Sequence, residues 1–267
     1  MLFSRAPAVA GLFYSADSQQ LAWEVQQLLD GAQGHDLIPK ALIVPHAGYI
    51  YSGVIAAVAY VTLRAVAAQI RRVILLGPTH QVAIRGLALP AARFFETPLG
   101  RVKLDSEAAE AVAQFSQVII SEEAHAKEHS LEVQLPFLQC ILPDFLLLPL
   151  AVGMASADEV AEVLDILWGN EDTLIVVSSD LSHYLPYATA RRVDNKTVES
   201  ILQLRQPIVH DHACGATPIS GLIVAAKKHH LTPHLLDLRN SGDTAGSLDQ
   251  VVGYAALAFT GDAKHAS

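Results

Sequence analysis

Short apolar runs recur along the chain, each closed by a polar turn and followed by a stretch with helical spacing. Residues 41–44, 71–76, 145–152 and 173–177 are such runs. A continuous apolar run of this length fits a strand buried on both faces. The segments 54–68, 105–115, 157–168, 191–204 and the apolar stretch ending at Lys227 read as helices. Near the start, Asp17 or Ser18 caps a helix reaching about Leu29, with Leu21, Val25, Leu28 and Leu29 as its apolar stripe. Residues 7–14 are apolar and broken by Gly11, as expected of an arm laid on the core. Residues 84–104 carry turn signals at Pro90, Pro98 and Gly100, which predict irregular strands or a hairpin. The stretch 122–138 is read against helical spacing, with Leu131, Leu135 and Leu138 toward one face. A late strand at 232–237, a glycine-rich loop at 240–247 and a closing strand at 251–260 complete the pattern. Strand and helix alternate without a linker, which predicts one α/β domain over 1–267, a three-layer α/β/α sandwich around a mostly parallel sheet.

Three of the runs end on histidine. Pro45, which has no N–H to give a sheet ladder, stops the first run and His46 follows at once. Gly77-Pro-Thr-His80 ends the second, and Ser178-Ser-Asp-Leu-Ser-His183 ends the strand at 173–177. Open α/β sheets bind their ligands at the carboxyl ends of strands. His46 and His80 are 80 − 46 = 34 positions apart, about one βαβ unit, so parallel neighbouring strands would hang both imidazoles over one edge. Neutral imidazole is the commonest side-chain metal ligand. A third ligand is open among Asp180, Glu132 and Cys214. On a helix His129 and Glu132 would share a face. Cys214 lies at the expected start of a helix, where the amino terminus favours the thiolate. Cys140 and the histidines at 125, 210, 212, 229, 230, 234 and 265 read as packing or surface residues.

Composition narrows the function class. Half the chain is hydrophobic (51%) and 17% is charged, enough for a sizeable core. A formal net charge of −9 argues against nucleic-acid or anionic-membrane partners. No 18-residue apolar span occurs, residues 1–14 do not read as a signal peptide, and two cysteines make no disulfide framework. A cytoplasmic protein is expected. Oligomeric state is left open, a homo-oligomer included.

Five motifs in order carry a resemblance. Pro-His-Ala-Gly-Tyr-Ile-Tyr-Ser-Gly (45–53), Gly-Pro-Thr-His (77–80), Glu-His-Ser-Leu-Glu-Val-Gln-Leu-Pro-Phe-Leu (128–138), Ser-Ser-Asp-Leu-Ser-His (178–183) and Cys-Gly (214–215) resemble the Memo family, also called AmmeMemoRadiSam system protein B. The resemblance implies a fold similar to class III extradiol dioxygenases, in which two histidines and a glutamate hold Fe(II). It implies His46 and His80 as metal histidines, His183 as the acid/base histidine, and Cys214 where the dioxygenases have their glutamate. Thiolate in place of carboxylate gives a softer site, suited to Fe(II) but also to Cu or Zn. Asp180 is expected to orient a histidine by accepting its second ring N–H. Glu132 is expected beside the reacting centre with His129, and Tyr49, Tyr51 and Ser182 along the pocket. Three readings follow: an iron- or copper-dependent oxidoreductase with His183 moving a proton; a zinc hydrolase with His183 or Glu132 as general base; or a non-catalytic module binding a small molecule, peptide or partner enzyme in the metal cleft.

Overall fold

Along the central strands successive side chains enter two different cores. Leu42, Val44, Val73, Leu75, Leu174 and Val176 pack into one, while Ala41, Ile43, Ile74, Leu76, Ile175 and Val177 pack into the other. A strand apolar at every position is therefore the middle layer, with helices on both faces. The computed structural model describes residues 3–261, and residues 1–2 and 262–267, His265 among them, lie outside the described residues.

In chain order the elements are β1 (Ser4–Arg5), α1 (Ser18–Gly31), β2 (Ala41–Val44), α2 (Tyr49–Val61), β3 (Arg72–Pro78), β4 (Leu87–Leu89), β5 (Phe94–Thr97), β6 (Gly100–Lys103), α3 (Ser106–Val112) and β7 (Val118–Ile120). There follow α4 (Glu122–Ala126), α5 (Leu135–Ile141), β8 (Leu146–Val152), α6 (Ala157–Leu167), β9 (Thr173–Ser178), α7 (Tyr187–Leu202), α8 (Ala216–Lys228), β10 (Thr232–Asn240) and β11 (Gly253–Thr260). The main sheet has eight strands in the order β10-β11-β2-β9-β3-β8-β4-β7. Its centre, β2-β9-β3-β8, is parallel throughout. Antiparallel pairs occur at β10-β11, β11-β2 and β8-β4, so the sheet is mixed but mostly parallel where it matters for the cleft. β1, β5 and β6 form a separate three-stranded sheet, and β5-β6 is the hairpin expected from the turn signals.

Three expectations are corrected. β2 and β3 are not neighbours: β9 lies between them and pairs in parallel with both, which brings all three histidine-bearing strand ends together. The last strand does not close the sheet. β11 is buried along nearly its whole length and sits inside, whereas β10, with exposed positions and a register shift between Leu235 and Asp237, takes the edge. Residues 122–138 do not form one helix: α4 ends at Ala126 and a short 3-10 turn, Glu132–Gln134, leads into α5. Among the described residues no helix is long and apolar enough to cross a membrane.

Asp17 caps α1 by accepting the main-chain N–H of Gln20, as its position ahead of the apolar stripe predicts. At Gly77 any side chain would collide with Ser130, its Cβ lying 2.7 Å from the Ser130 hydroxyl. That glycine lets the irregular 127–131 segment lie against the end of β3, where Ser130 donates to the Pro78 carbonyl.

Candidate metal centre

The carboxyl ends of β2, β9 and β3 face one cleft, and the 127–131 segment crosses it. His46 follows β2 and His80 follows β3, while the crossing segment supplies His129. One nitrogen from each of these three imidazoles lies within 4.8 Å of the others. The rings of His80 and His129 are stacked at 4.6 Å, and His46 meets both edge-on, at 5.3 and 5.4 Å. His129, expected in the pocket wall, is thus one of the converging donors. Its neighbour Phe13, from the N-terminal arm, packs on its ring at 4.9 Å.

The outward faces of the rings are held. Glu128 accepts from His80 Nδ1 at 2.8 Å and lies 3.5 Å from His129 Nδ1. The same carboxylate takes the main-chain N–H groups of His80 and Ser130. Burial alone would raise its pKa, but the hydrogen bonds from His80 and Ser130 outweigh it and hold the group at about 2. An ionised carboxylate only accepts, so His80 carries its proton on Nδ1 and turns a bare Nε2 into the cleft. Glu128 opens the 128–138 motif without an expected role, and its place next to His129 is the one local signal of its function. Replacing Glu128 by Gln is expected to weaken metal binding 10- to 100-fold, the usual effect of losing such a partner, measured by competition with a chelating dye. An unchanged affinity would remove Glu128 from the site.

His46 is buried and its Nδ1 lies 2.9 Å from the Ser178 hydroxyl. Burial, then the charges of His129, His80 and His183, hold its pKa well below the ordinary imidazole value, so it is neutral, as a ligand must be. Asp180 was expected to accept a ring N–H. Instead it accepts the main-chain N–H of His46 at 2.8 Å and fixes the loop rather than the ring. Burial raises the Asp180 pKa to about 7 against these hydrogen bonds.

Cys214 reaches the cleft from the segment before α8, with Sγ 3.3 Å from His46 Nε2. Gly215 makes this approach feasible: a Cβ there would lie 2.6 Å from that of Ser179. The expected thiolate is not favoured by the protein around it. Burial, then the Asp180 charge, pushes the thiol up to about 12, outweighing its hydrogen bonds. His183 lines the same cleft, half-buried, with a pKa lowered by burial and then by His80. Tyr184 follows with a left-handed backbone, φ 56°, and turns the chain outward.

Other expected site residues serve elsewhere. Glu132 is fully buried and both its oxygens are taken: it pairs with Arg5 and accepts from the N–H groups of Ala8 and Val9 and from the Tyr14 hydroxyl. No lone pair is left for a base, and the group ties the N-terminal arm to the core. Tyr49 is buried, donates to the Val133 carbonyl and packs on Tyr14 and Phe137. Ser182 is buried and its main-chain N–H donates to Asp194. Tyr51 stays partly exposed.

The sequence model described as Memo-like protein matches residues 5–258 of this chain. The chain belongs to the Memo family. It is 37% identical over 270 residues to the MEMO1 family protein Mbar_A1422 of Methanosarcina barkeri, covering 95% of this chain and 98% of that protein. It is 37% identical to a MEMO1 family protein of Aquifex aeolicus, with 96% and 98% covered, and 34% identical to one of Metallosphaera sedula, with 96% and 99% covered. Among solved structures, the uncharacterized protein JW3007 from Escherichia coli K12 matches with a TM-score of 0.51 at 16% identity, covering 83% of this chain and 99% of that one; the likeness is one of fold. For this Memo family member, family and histidine cluster together point to metal binding.

Proposed function

We propose that this protein is a metal-dependent oxidoreductase that holds one iron ion, or copper, through His46, His80 and His129, with Cys214 completing the site. The convergence of three imidazoles carries the reading. The donor set fits a metal on chemical grounds: His80 directs a bare Nε2 inward, and the nearest carboxylates, Glu128 and Asp180, are engaged by N–H groups. Imidazole with a soft sulfur suits Fe, Cu or Zn rather than Mg or Ca. When bound, the ion would supply Lewis acidity and, as iron or copper, a one-electron couple.

The protein groups supply the rest. His183 stands half-buried beside the cluster, where one ring nitrogen can take a proton from a bound small-molecule or peptide substrate and return it. Burial keeps it neutral and therefore ready to accept. Cys214 must lose its proton to act as a donor, and bare imidazole nitrogen lies next to it. Phe13, packed on His129, screens that side of the cleft from water.

The second reading, a zinc hydrolase, is favoured by one observation: three histidines with an open position are also a zinc set that ionises water. Metal analysis separates the two. After anaerobic loading with Fe(II), Cu(I) or Zn(II), about one redox metal per chain, weakened in Cys214→Ser, supports the oxidoreductase and justifies an oxygen-uptake screen. Retention of zinc alone moves the reading to hydrolysis, and no metal at all leaves a binding module. His183→Asn is expected to keep the metal while turnover falls by about 10²–10⁴. Loss of metal in that variant would make His183 a ligand.

A further inference from the structure

Behind His46 a chain of buried polar groups runs through the core from α2. The Tyr60 hydroxyl donates to Gln134 Oε1 at 2.8 Å. Gln134 Nε2 donates to the Pro45 carbonyl at 2.9 Å and to Ser178 Oγ at 2.8 Å. The Ser178 hydroxyl donates in turn to the Ser130 carbonyl at 2.6 Å. Tyr60, Gln134 and Ser178 are all fully buried, so no water competes for these groups.

The direction of every bond is forced. A carbonyl only accepts, so the amide nitrogen of Gln134, and not its oxygen, must face Pro45. The same end of the amide therefore points its second N–H at Ser178. Ser178 has a single proton, and the short contact to the Ser130 carbonyl takes it, since two acceptor oxygens cannot otherwise approach so closely. What Ser178 still offers His46 is a lone pair. The imidazole nitrogen facing it, Nδ1 at 2.9 Å, has to be the one carrying hydrogen.

We infer that Ser178 is a positioning residue that fixes His46 in the Nδ1–H tautomer and keeps Nε2 bare toward the cleft, and that Gln134 sets the direction of this relay. The inference deepens the metal-site reading, on which its functional meaning rests. It also separates the two strand-end histidines by chemistry. His80 is oriented by a carboxylate and His46 by a neutral hydroxyl, so His80 is the more strongly polarised ligand of the pair.

The test needs no metal. Long-range ¹H–¹⁵N correlation spectra of the metal-free protein, with His46 assigned by comparison with His46→Gln, should show the Nδ1–H tautomer in the wild type. In Ser178→Ala the Nδ1 proton loses the hydroxyl and is left with the weaker contact to the Ser178 main chain. The Nε2–H form, which can bond toward Cys214, should become populated, and Zn(II) affinity should fall about 10- to 100-fold. Ser178→Thr, which keeps the hydroxyl, should restore both. An Nε2–H tautomer in the wild type overturns the inference whether or not any variant folds, and so does an unchanged His46 spectrum in Ser178→Ala. The expected tautomers without Zn(II) binding by the wild type would support the relay and overturn the metal-site reading instead.

Discussion

Replacing His80 by alanine is expected to reduce metal affinity more than 100-fold while leaving the fold intact. A ligand loss should exceed the 10- to 100-fold effect of losing an outer partner. The side chain is 27% exposed and projects from the loop after β3, so its removal opens no core cavity. Glu128 loses one ring N–H but keeps the main-chain N–H groups of His80 and Ser130. Metal content after dialysis against a chelator, with thermal denaturation alongside, checks both halves. Metal retained at wild-type affinity would remove His80 from the site, and a collapse in thermal stability would show that the residue is structural.

The second large effect lies outside the cleft. Glu132→Leu is expected to destabilise the protein by at least about 3–5 kcal/mol, the cost of leaving one partner of a buried pair unpaired. Arg5 would be stranded, since the ion pair lies in a region where its side chain is only 5% exposed and that of Glu132 is 0%. The N–H groups of Ala8 and Val9 and the Tyr14 hydroxyl would lose their acceptor as well. For a chain of this size the melting temperature should fall on the order of 10 °C. The double variant Arg5→Leu, Glu132→Leu should recover part of this, since replacing a whole buried pair by apolar groups is far milder than breaking it. Recovery stays incomplete because the two main-chain donors remain unpaired. A single-variant loss below 1 kcal/mol in denaturant titration would refute the clamp.

The glutamates and histidines of this region mark how far the chain can be read before folding. Runs such as Ala41–Val44 and Thr173–Ser178 declare buried parallel strands because every position is apolar. The residue after each run then lands at a strand end, which is why His46, His80 and His183 were legible as cleft residues. Strand order was not, because pairing of β9 with both β2 and β3 is a tertiary choice that leaves no local mark. His129 was placed with Glu132 by helical spacing, but tertiary contacts override it. Glu128 turns to His80, Ser130 drops against Gly77, and His129 and Glu132 end in separate environments. The partners of Glu132 lie more than 115 positions earlier, at residues 5, 8, 9 and 14, beyond any local pattern. Cys214 was found by its motif, yet its proton affinity follows from burial and Asp180, which local sequence does not reveal.

The place of β2 in the sheet bears on how the molecule is made. The strand that delivers His46 emerges early in synthesis, but its two partners are β9 and β11, and the latter pairs through Leu257, Ala258 and Phe259. A nascent chain on the ribosome therefore holds β2 without one flank until residues 257–259 have been translated. Contacts this distant in sequence also slow the search once the chain is released. The strand that leads to His46 is thus flanked on both sides only after those that lead to His80 and His183 have been made. Loss of residues 257–259 would therefore leave β2 with β9 as its one partner and loosen the loop that carries His46.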